Sequence, residues 1–257
     1  MRSIKTNIKQ GLRAILREHH SKRKVTGTNK WIHFKSKDHL NLFIQREIDY
    51  EYVRLLKQYI QMGDRIFDIG SNIGQFAIPL SEYAGEEGSI HCFEPDIEAF
   101  SYLQKNISLN GCHNVSASNL AVGEVNEEKT IYLDTQTGGR KNSLHREEVG
   151  DNYDGSKKII SCITLDSLIA KHGVPNLIKI DVEGYEMQVL SGLSNIPSST
   201  IFAIELRNEC KDRIIARFIK SGFKAYKIFK HKLVPIEEVK ELNAGLADYL
   251  FVPNNGK

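Results

Sequence analysis

The residues with the clearest chemical potential form a glycine-rich loop between an apolar run and a helical pattern. The loop is Gly70-x-Asn72-x-Gly74, and Asp68 lies just before it. Glycine has no Cβ, so the backbone at Gly70 and Gly74 can take positive φ and approach a ligand closely. Glu94 follows Gly74 by 20 residues, at the end of the next apolar run. In doubly wound folds a carboxylate at this position binds ribose hydroxyls, so the spacing predicts a site for a nucleoside cofactor.

The glycine spacing distinguishes between two classes of cofactor. The dinucleotide fingerprint G-x-G-x-x-G would place glycines at the positions where this chain has Asn72 and Gln75. We therefore interpret the loop as a site for S-adenosylmethionine rather than NAD. Asp68 is expected either to contact the methionyl part of this cofactor or to orient the loop. The remaining alternative is an ordinary turn between a strand and a helix that contains two glycines.

A second group of polar residues lies farther along the chain. Asp181 and Glu205 each follow a short apolar run, and the carboxyl ends of parallel strands meet at the sheet edge where ligands bind. In one hypothesis, Asp181, Glu205 and Asn208 bind a hard divalent cation such as Mg²⁺. In the other, Asp181, or Lys179 with a depressed pKa, acts as a general base. A structural role for Lys179, pairing with a nearby carboxylate, stays open as well.

The elements that would position these residues alternate between strand and helix patterns. The predicted strands are 66–69, 89–93, 114–122, 130–134, 177–180, 201–204, 223–229 and 247–252, and the predicted helices are 47–62, 73–80, 96 to about 110, a helix that Glu183 opens, and 211–221. Residues 135–158 are polar and are expected to form a long loop. This order predicts an α/β fold with a mostly parallel sheet, helices on both faces and an antiparallel end.

Length and composition favour one domain with an N-terminal addition. The chain has 257 residues, of which 40% are hydrophobic, enough for a sizeable core. Residues 1–62 are predicted to form a basic arm and helices that pack on a domain of residues 63–257. No apolar run reaches the roughly 18 residues that span a bilayer, no secretory leader is expected, and the cysteines lack metal-ligand spacing. These features favour a cytoplasmic protein.

Basic charge is concentrated in the N-terminal arm. Residues 1–30 contain nine lysines and arginines and one glutamate, a net charge of +8, so the remaining residues carry −5 of the total of +3. Apolar residues recur there at helical spacing, at Ile4, Ile8, Leu12, Ile15 and Leu16. Such a segment either packs on the domain or lies on an anionic membrane surface. Nucleic acid is not an expected partner, because the arm has no aromatic residues for base stacking.

Several motifs, taken in order, resemble those of the FkbM family of S-adenosylmethionine-dependent methyltransferases over roughly residues 65–206. The matching segments are Asp68-Ile-Gly70-Ser-Asn72-Ile-Gly74, Phe93-Glu94-Pro95, Asn119-Leu-Ala121-Val, Thr164-Leu165-Asp166 and Ile178-Lys179-Ile180-Asp181-Val182-Glu183-Gly184-Tyr185-Glu186. The resemblance implies cofactor contacts from the first three, with Asn119 and Ala121 on the strand beside the adenine. It also implies the seven-stranded class I methyltransferase fold, which is Rossmann-like, and O-methylation of sugars or other secondary metabolites.

The implied reaction requires a group that activates the acceptor hydroxyl, which the acidic residues could supply. Methyl transfer to a hydroxyl is an in-line displacement that depends on positioning, and the hydroxyl proton must also leave. The expected acceptor is a small molecule or glycan with a free hydroxyl. The main alternative is a non-catalytic protein that binds S-adenosylmethionine and is tethered by its basic arm, and an NAD-dependent oxidoreductase is a third interpretation.

Overall fold

A computed structural model of the protein describes residues 15–16, 19–39, 42, 51–134, 153–229, 232–236 and 246–254. The strands are β1 (His20–Lys24), β2 (Trp31–Lys35), β3 (Arg65–Ile69), β4 (Ser89–Phe93), β5 (Val115–Ser118), β6 (Ala121–Gly123), β7 (Glu127–Asp134), β8 (Tyr153–Thr164), β9 (Leu177–Ile180), β10 (Ile201–Leu206), β11 (Phe223–Phe229), β12 (Lys232–Pro235) and β13 (Ala247–Pro253). The helices are α1 (Glu51–Lys57), α2 (Ala77–Ala84), α3 (Ile97–Leu109), α4 (Leu165–His172), α5 (Glu186–Ser191) and α6 (Asn208–Lys220).

An eight-stranded sheet forms the centre of the fold, in the order β12-β11-β13-β10-β9-β3-β4-β5. The strands from β10 to β5 pair in parallel, whereas β13 pairs antiparallel with both β10 and β11. This confirms the predicted α/β fold, with a mostly parallel sheet and an antiparallel end. An eighth strand, β12, joins the seven expected ones by pairing with β11 at the edge. The strand order reverses between β3 and β9, which is where ligands bind in such sheets.

Alternate residues of the central strands face two separate cores, because side chains alternate between the faces of a sheet. In β3, Ile66 packs with residues of α1, α2 and α3, whereas Phe67 and Ile69 pack with residues of α4, α5 and α6. Helices therefore cover both faces, as predicted. Parallel strands that are buried on both faces appear in a sequence as continuous apolar runs. Asp68 and Lys179 interrupt two of these runs, and both are buried.

The predicted strand 114–122 is wrong, because the structure divides it into β5 and β6, which belong to different sheets. The chain turns at Asn119, whose side-chain amide donates to the carbonyl oxygens of Glu94 and Pro95. The turn is therefore stabilised by a segment that is distant in sequence. After it, β6 pairs with β8, and β8 pairs with β7, in a separate three-stranded sheet.

Two other predicted boundaries differ from those in the structure. The loop expected at 135–158 is shorter, because residues 153–158 belong to β8 and pair with β7; residues 135–152 lie outside the described segments. The predicted helix start at Glu183 is wrong. Glu183 and Gly184 have φ values of 53° and 99°, which a right-handed helix does not accommodate, and α5 begins three residues later.

The N-terminal region contains a β1–β2 hairpin that the sequence did not predict. One N-terminal helix, α1, occupies part of the helix predicted at 47–62. Residues 1–14 and 17–18, most of the apolar pattern of the arm, lie outside the described segments. Within those segments, none of the helices is long and apolar enough to cross a membrane.

Two asparagines, Asn106 of α3 and Asn110 at its C-cap, hold the hairpin against the domain. Asn106 bonds to the N–H and C=O of His33 at 2.7 and 3.0 Å, and Asn110 bonds to those of Trp31 at 2.7 Å each. Four helical residues rise about 6 Å and two strand residues extend about 6.6 Å, so the two spacings match. Asn106 also donates to the carbonyl of Ile73 at 2.8 Å, which connects the hairpin to the glycine loop.

Candidate active site

A cleft opens at the carboxyl ends of β3, β4, β9 and β10, where the strand order reverses. It contains about 1080 Å³ of space, part of it open to solvent. The structure brings six of the predicted site residues together on its surface: Gly70, Asn72, Glu94, Ala121, Asp181 and Glu205. Four other predicted site residues do not line this cleft: Asp68, Gly74, Asn119 and Lys179.

The two glycines of the loop are required by contacts within the protein. Gly70 has a φ of +78°, and a Cβ there would lie 1.9 Å from the carbonyl oxygen of Asp181. Gly74 has a φ of +88°, and a Cβ there would lie 2.8 Å from Cδ1 of Leu103. In both cases the protein itself occupies the space that a side chain would need, a reason that the sequence did not reveal. The contact at Gly70 also fixes the loop against the end of β9.

Glu94 connects the glycine loop to the segment after β4. Its Oε2 accepts the N–H of Asn72 at 2.7 Å, and its Oε1 accepts the N–H of Asp96 at 2.8 Å. Burial raises the pKa of Glu94 to about 8, although these two bonds act in the opposite direction. A carboxylate oxygen has more than one acceptor site. Glu94 can therefore hold the loop and still accept hydroxyl groups of a ligand in the cleft.

Lys179 lies beneath the cleft as a buried cation between two carboxylates. It is directly opposite Asp68 in the β3–β9 pairing, with its Nζ 3.6 Å from Asp68 Oδ1 and 3.2 Å from Asp181 Oδ2. Burial by itself lowers the pKa of Lys179, but the charges of Asp181 and Asp68 and the bond to Asp181 together raise it above its ordinary value. This direction is opposite to the depressed pKa that a basic role for Lys179 requires, and the two distances agree with the alternative, pairing with carboxylates.

Asp68 and Asn119 support the walls of the cleft from behind. Both carboxylate oxygens of Asp68 are buried without a hydrogen-bond partner among the described residues. Burial raises the pKa of Asp68, and the charge of Lys179 opposes this rise. Asn119 uses its amide for the turn after Glu94. Asn119 therefore holds the turn after Glu94, whereas the contact that Asp68 makes is its pairing with Lys179.

Acidic side chains are clustered at the Asp181 end of the cleft. Oxygen atoms of Asp181, Glu183 and Glu205 lie within 4.8 Å of one another. Burial raises the pKa of Glu205 to about 9, and the charges of Asp181, Asp248 and Glu183 add to the rise. The cluster can hold or release a proton at the cleft surface, and its oxygens are of the type that hard cations prefer. The side chain of Asn208, the third predicted metal ligand, lies outside the described part of the structure.

Several residues at or near the cleft, among them Ile131, Tyr185 and Asp248, were not predicted from the sequence. Ile131 and Tyr185 line it, and Asp248 is directly opposite Glu205 in the β10–β13 pairing. Burial raises the pKa of Asp248 to about 6. Tyr185 lies inside a segment that resembles the FkbM family, but nothing local marks Ile131 or Asp248, because their positions depend on how distant strands pair.

The sequence profile of the methyltransferase FkbM domain matches residues 68–245. The chain belongs to this family. The matched residues include the glycine loop, Glu94, and the cluster of Asp181, Glu183 and Glu205. The FkbM resemblance noted from individual motifs is thereby confirmed.

Two curated relatives match part of the chain. Hexuronic acid methyltransferase AglP from Haloferax volcanii is 29% identical over 163 residues, which cover 60% of this chain and 60% of the relative. Methyltransferase 1 from Beauveria bassiana is 26% identical over 148 residues, which cover 51% and 58%. The chain thus spans about three fifths of the length of these relatives. Among solved structures, methyltransferase FkbM from Methylobacillus flagellatus has a TM-score of 0.47 and 17% identity, covering 73% of this chain and 43% of its own.

Replacing Lys179 tests its role as a buried counter-charge. We expect Lys179→Met to lower the free energy of unfolding by about 3–5 kcal/mol, because Asp68 would be left buried without a compensating charge. The double variant Asp68→Asn with Lys179→Met should recover part of this loss. Urea denaturation of the two variants and of Asp68→Asn alone measures the coupling. A double variant that is no more stable than Lys179→Met would contradict the assignment.

The raised pKa of Glu205 predicts a pH dependence of stability. The folded state holds this proton up to a pH of about 9, whereas the ordinary pKa is 4.5. Between these values the folded state binds more protons, so Glu205 makes the free energy of unfolding fall as the pH rises, by at most about 1.4 kcal/mol per pH unit. Glu205→Gln should flatten this decline in urea denaturation from about pH 5 to pH 8. Glu128→Gln, at an exposed position, is the control, and equal slopes in both variants would contradict the prediction.

Proposed function

We propose that the chain transfers a methyl group from S-adenosylmethionine to a hydroxyl of a sugar, a polysaccharide component or another secondary metabolite. The observation that carries the proposal is that Glu94 and the Asp181–Glu205 pair open into one cleft. Membership of the FkbM family supports methyl transfer. The name of the Haloferax relative, which refers to a hexuronic acid, supports a sugar as the acceptor.

The residues of the cleft fit the proposed cofactor. Glu94 offers acceptor atoms for the hydroxyls of a ribose, and Leu120, Ala121 and Val122 border the same space as an apolar surface for a base. Asp181 places negative charge at the other end, where a positive sulfonium is favoured. When bound, the cofactor supplies a methyl group that the sulfonium already activates. The main contribution left to the protein is to hold the acceptor oxygen in line with that group.

Asp181 is the proposed base for the hydroxyl proton. Its carboxylate is 29% exposed at the cleft, and Lys179 fixes one of its oxygens at 3.2 Å. Glu205, whose pKa of about 9 keeps it protonated near neutral pH, has a carboxyl oxygen within 4.8 Å of one of Asp181. The acidic side chains of this cluster would repel a carboxylate of the acceptor. We therefore expect a hydroxyl of the acceptor to face Asp181 and any carboxylate of the acceptor to point away from it. A divalent cation held by Asp181, Glu183 and Glu205, with Asn208 as the further predicted ligand, is the alternative means of activating the hydroxyl.

Calorimetric titration with S-adenosylhomocysteine tests the cofactor site. We expect the native protein to bind it, and Glu94→Gln to bind it roughly tenfold or more weakly, because an amide nitrogen would replace one of the two carboxyl oxygens that accept hydrogen bonds from the loop and from the ribose. Glu98→Gln, at an exposed position on α3, should bind as the native protein does. Absence of binding to the native protein would overturn the proposal. If NAD instead raised its melting temperature, an oxidoreductase would be the better interpretation.

Turnover with candidate acceptors tests the chemistry separately. Neutral hexoses and hexuronic acids are incubated with S-adenosylmethionine, and release of S-adenosylhomocysteine is measured. We expect Asp181→Asn to lower kcat by about a hundredfold or more without losing S-adenosylhomocysteine binding. Turnover that survives EDTA would support the base, and turnover that is lost and then restored by Mg²⁺ would support the cation. Binding without turnover on any acceptor would instead support the non-catalytic alternative.

A further inference from the structure

One face of the β1–β2 hairpin carries side chains that the proposed reaction does not use. Residues directly opposite each other in an antiparallel pair share a face, and on the core side Ile32 and Phe34 are fully buried. The opposite face, which we call the cationic face, consists of His20, Lys22 and Lys24 of β1 paired with Lys35, His33 and Trp31 of β2. This face is therefore entirely basic or aromatic.

His20 and His33 stack with Tyr102 of α3, but the stability of the fold does not explain the lysine charges of the cationic face. Lys22 and Lys24 lie on the same side of one strand, and the charges of Lys105 and Lys22 lower the pKa of His33 in addition to its burial. Among the described residues, Glu98 supplies a carboxylate to this face, 3.7 Å from Lys35. Like charges on one face of a two-stranded ribbon repel each other. An anionic partner would offset this repulsion.

Trp31 adds an aromatic anchor to the cationic face. It is the only tryptophan of the chain and is 40% exposed. Its backbone N–H and C=O both bond to the side chain of Asn110. The Nζ of Lys22 lies 5.4 Å from the centre of the Trp31 ring. A fixed indole beside lysines is the combination found at the interface between membrane and water.

We propose that the cationic face docks this protein on an anionic membrane surface. Trp31 enters the headgroup region, and Lys22 and Lys24 face the lipid phosphates. Ile15, five residues before β1, is 80% exposed, and the basic residues that precede it in the sequence add positive charge to the same end of the chain. The hairpin, rather than a helix alone, then makes the membrane contact that was one of the two alternatives for residues 1–30.

The cationic face lies next to the candidate active site at one end. Lys35 pairs with Glu98 in the first turn of α3. The N-cap of that helix, Asp96, donates its backbone N–H to Glu94 in the cleft. The Lys35 end of the cationic face is therefore nearer the cleft than the Trp31 end, which is bonded to Asn110 after the last turn of the same helix.

Sedimentation with vesicles tests the proposal on the full chain. One set of vesicles is phosphatidylcholine alone, and the other also contains phosphatidylglycerol. We expect binding to the second set only, with a shift of the tryptophan emission to shorter wavelength. Because Trp31 is the single tryptophan, this shift reports the environment of the cationic face itself.

Two charge-matched double variants make the test specific. Lys22→Gln with Lys24→Gln should weaken vesicle binding about thirtyfold, since each lysine near an anionic surface contributes about a factor of five. Lys220→Gln with Lys224→Gln removes the same charge at other exposed positions and should change binding less than about twofold. Circular dichroism and binding of S-adenosylhomocysteine check that both variants are folded.

Several results would overturn the proposal. If the native protein did not sediment with the vesicles that contain phosphatidylglycerol, the cationic face would not be a membrane-docking surface. Equal losses in the two double variants would show that net charge alone drives binding, and full binding by the Lys22–Lys24 variant would assign the contact to residues outside the hairpin. Binding to heparin but not to vesicles, with no emission shift, would identify a site for a soluble polyanion instead.

Discussion

The geometry of the candidate site depends on one buried cation, Lys179. Its ammonium joins Asp68 of β3 to Asp181 at the end of β9, at 3.6 and 3.2 Å. Without this charge the two carboxylates would repel each other in a region of low dielectric. Burying an ion pair is costly and adds little net stability. We therefore infer that the role of this pair is to position Asp181 rather than to stabilise the fold. Asp181 is fixed at the cleft, and its carbonyl in turn fills the space beside Gly70, which couples the glycine loop to the proposed base.

The acidic residues around Lys179 exceed what its single charge can balance. Asp68, Asp181, Glu205 and Asp248 all act on it or on one another, and burial keeps protons on Glu205 up to a pH of about 9. A site of this kind favours a positive ligand and retains a proton near the acceptor. Both properties agree with the sulfonium cofactor and hydroxyl acceptor that we propose.

The parts of the fold that the sequence predicted are those in which burial produces a regular pattern. The strands β3, β4, β9 and β10 are apolar runs because helices cover both of their faces. The hairpin strand β1 was missed because His-Ser-Lys-Arg-Lys has neither an apolar alternation nor a preference for strand. It forms there because β2 pairs with it, and because Asn106 of α3 and Asn110 at the C-cap of α3 bind the other edge of β2. Likewise, the break between β5 and β6 depends on Asn119 binding the carbonyls of a distant turn.

The sequence by itself determined the order of strands and helices, the glycine loop, and the acidic residues Glu94, Asp181 and Glu205 at strand ends, because these follow from local periodicity and spacing. Only the tertiary structure brought Lys179 within pairing distance of Asp68 and Asp181, and placed Asp248 beside Glu205. It also decided that the lysines of β1 share a face with Trp31. Protonation and charge pairing depend on distances of a few ångströms between segments far apart in the chain, and spacing along one chain does not contain those distances.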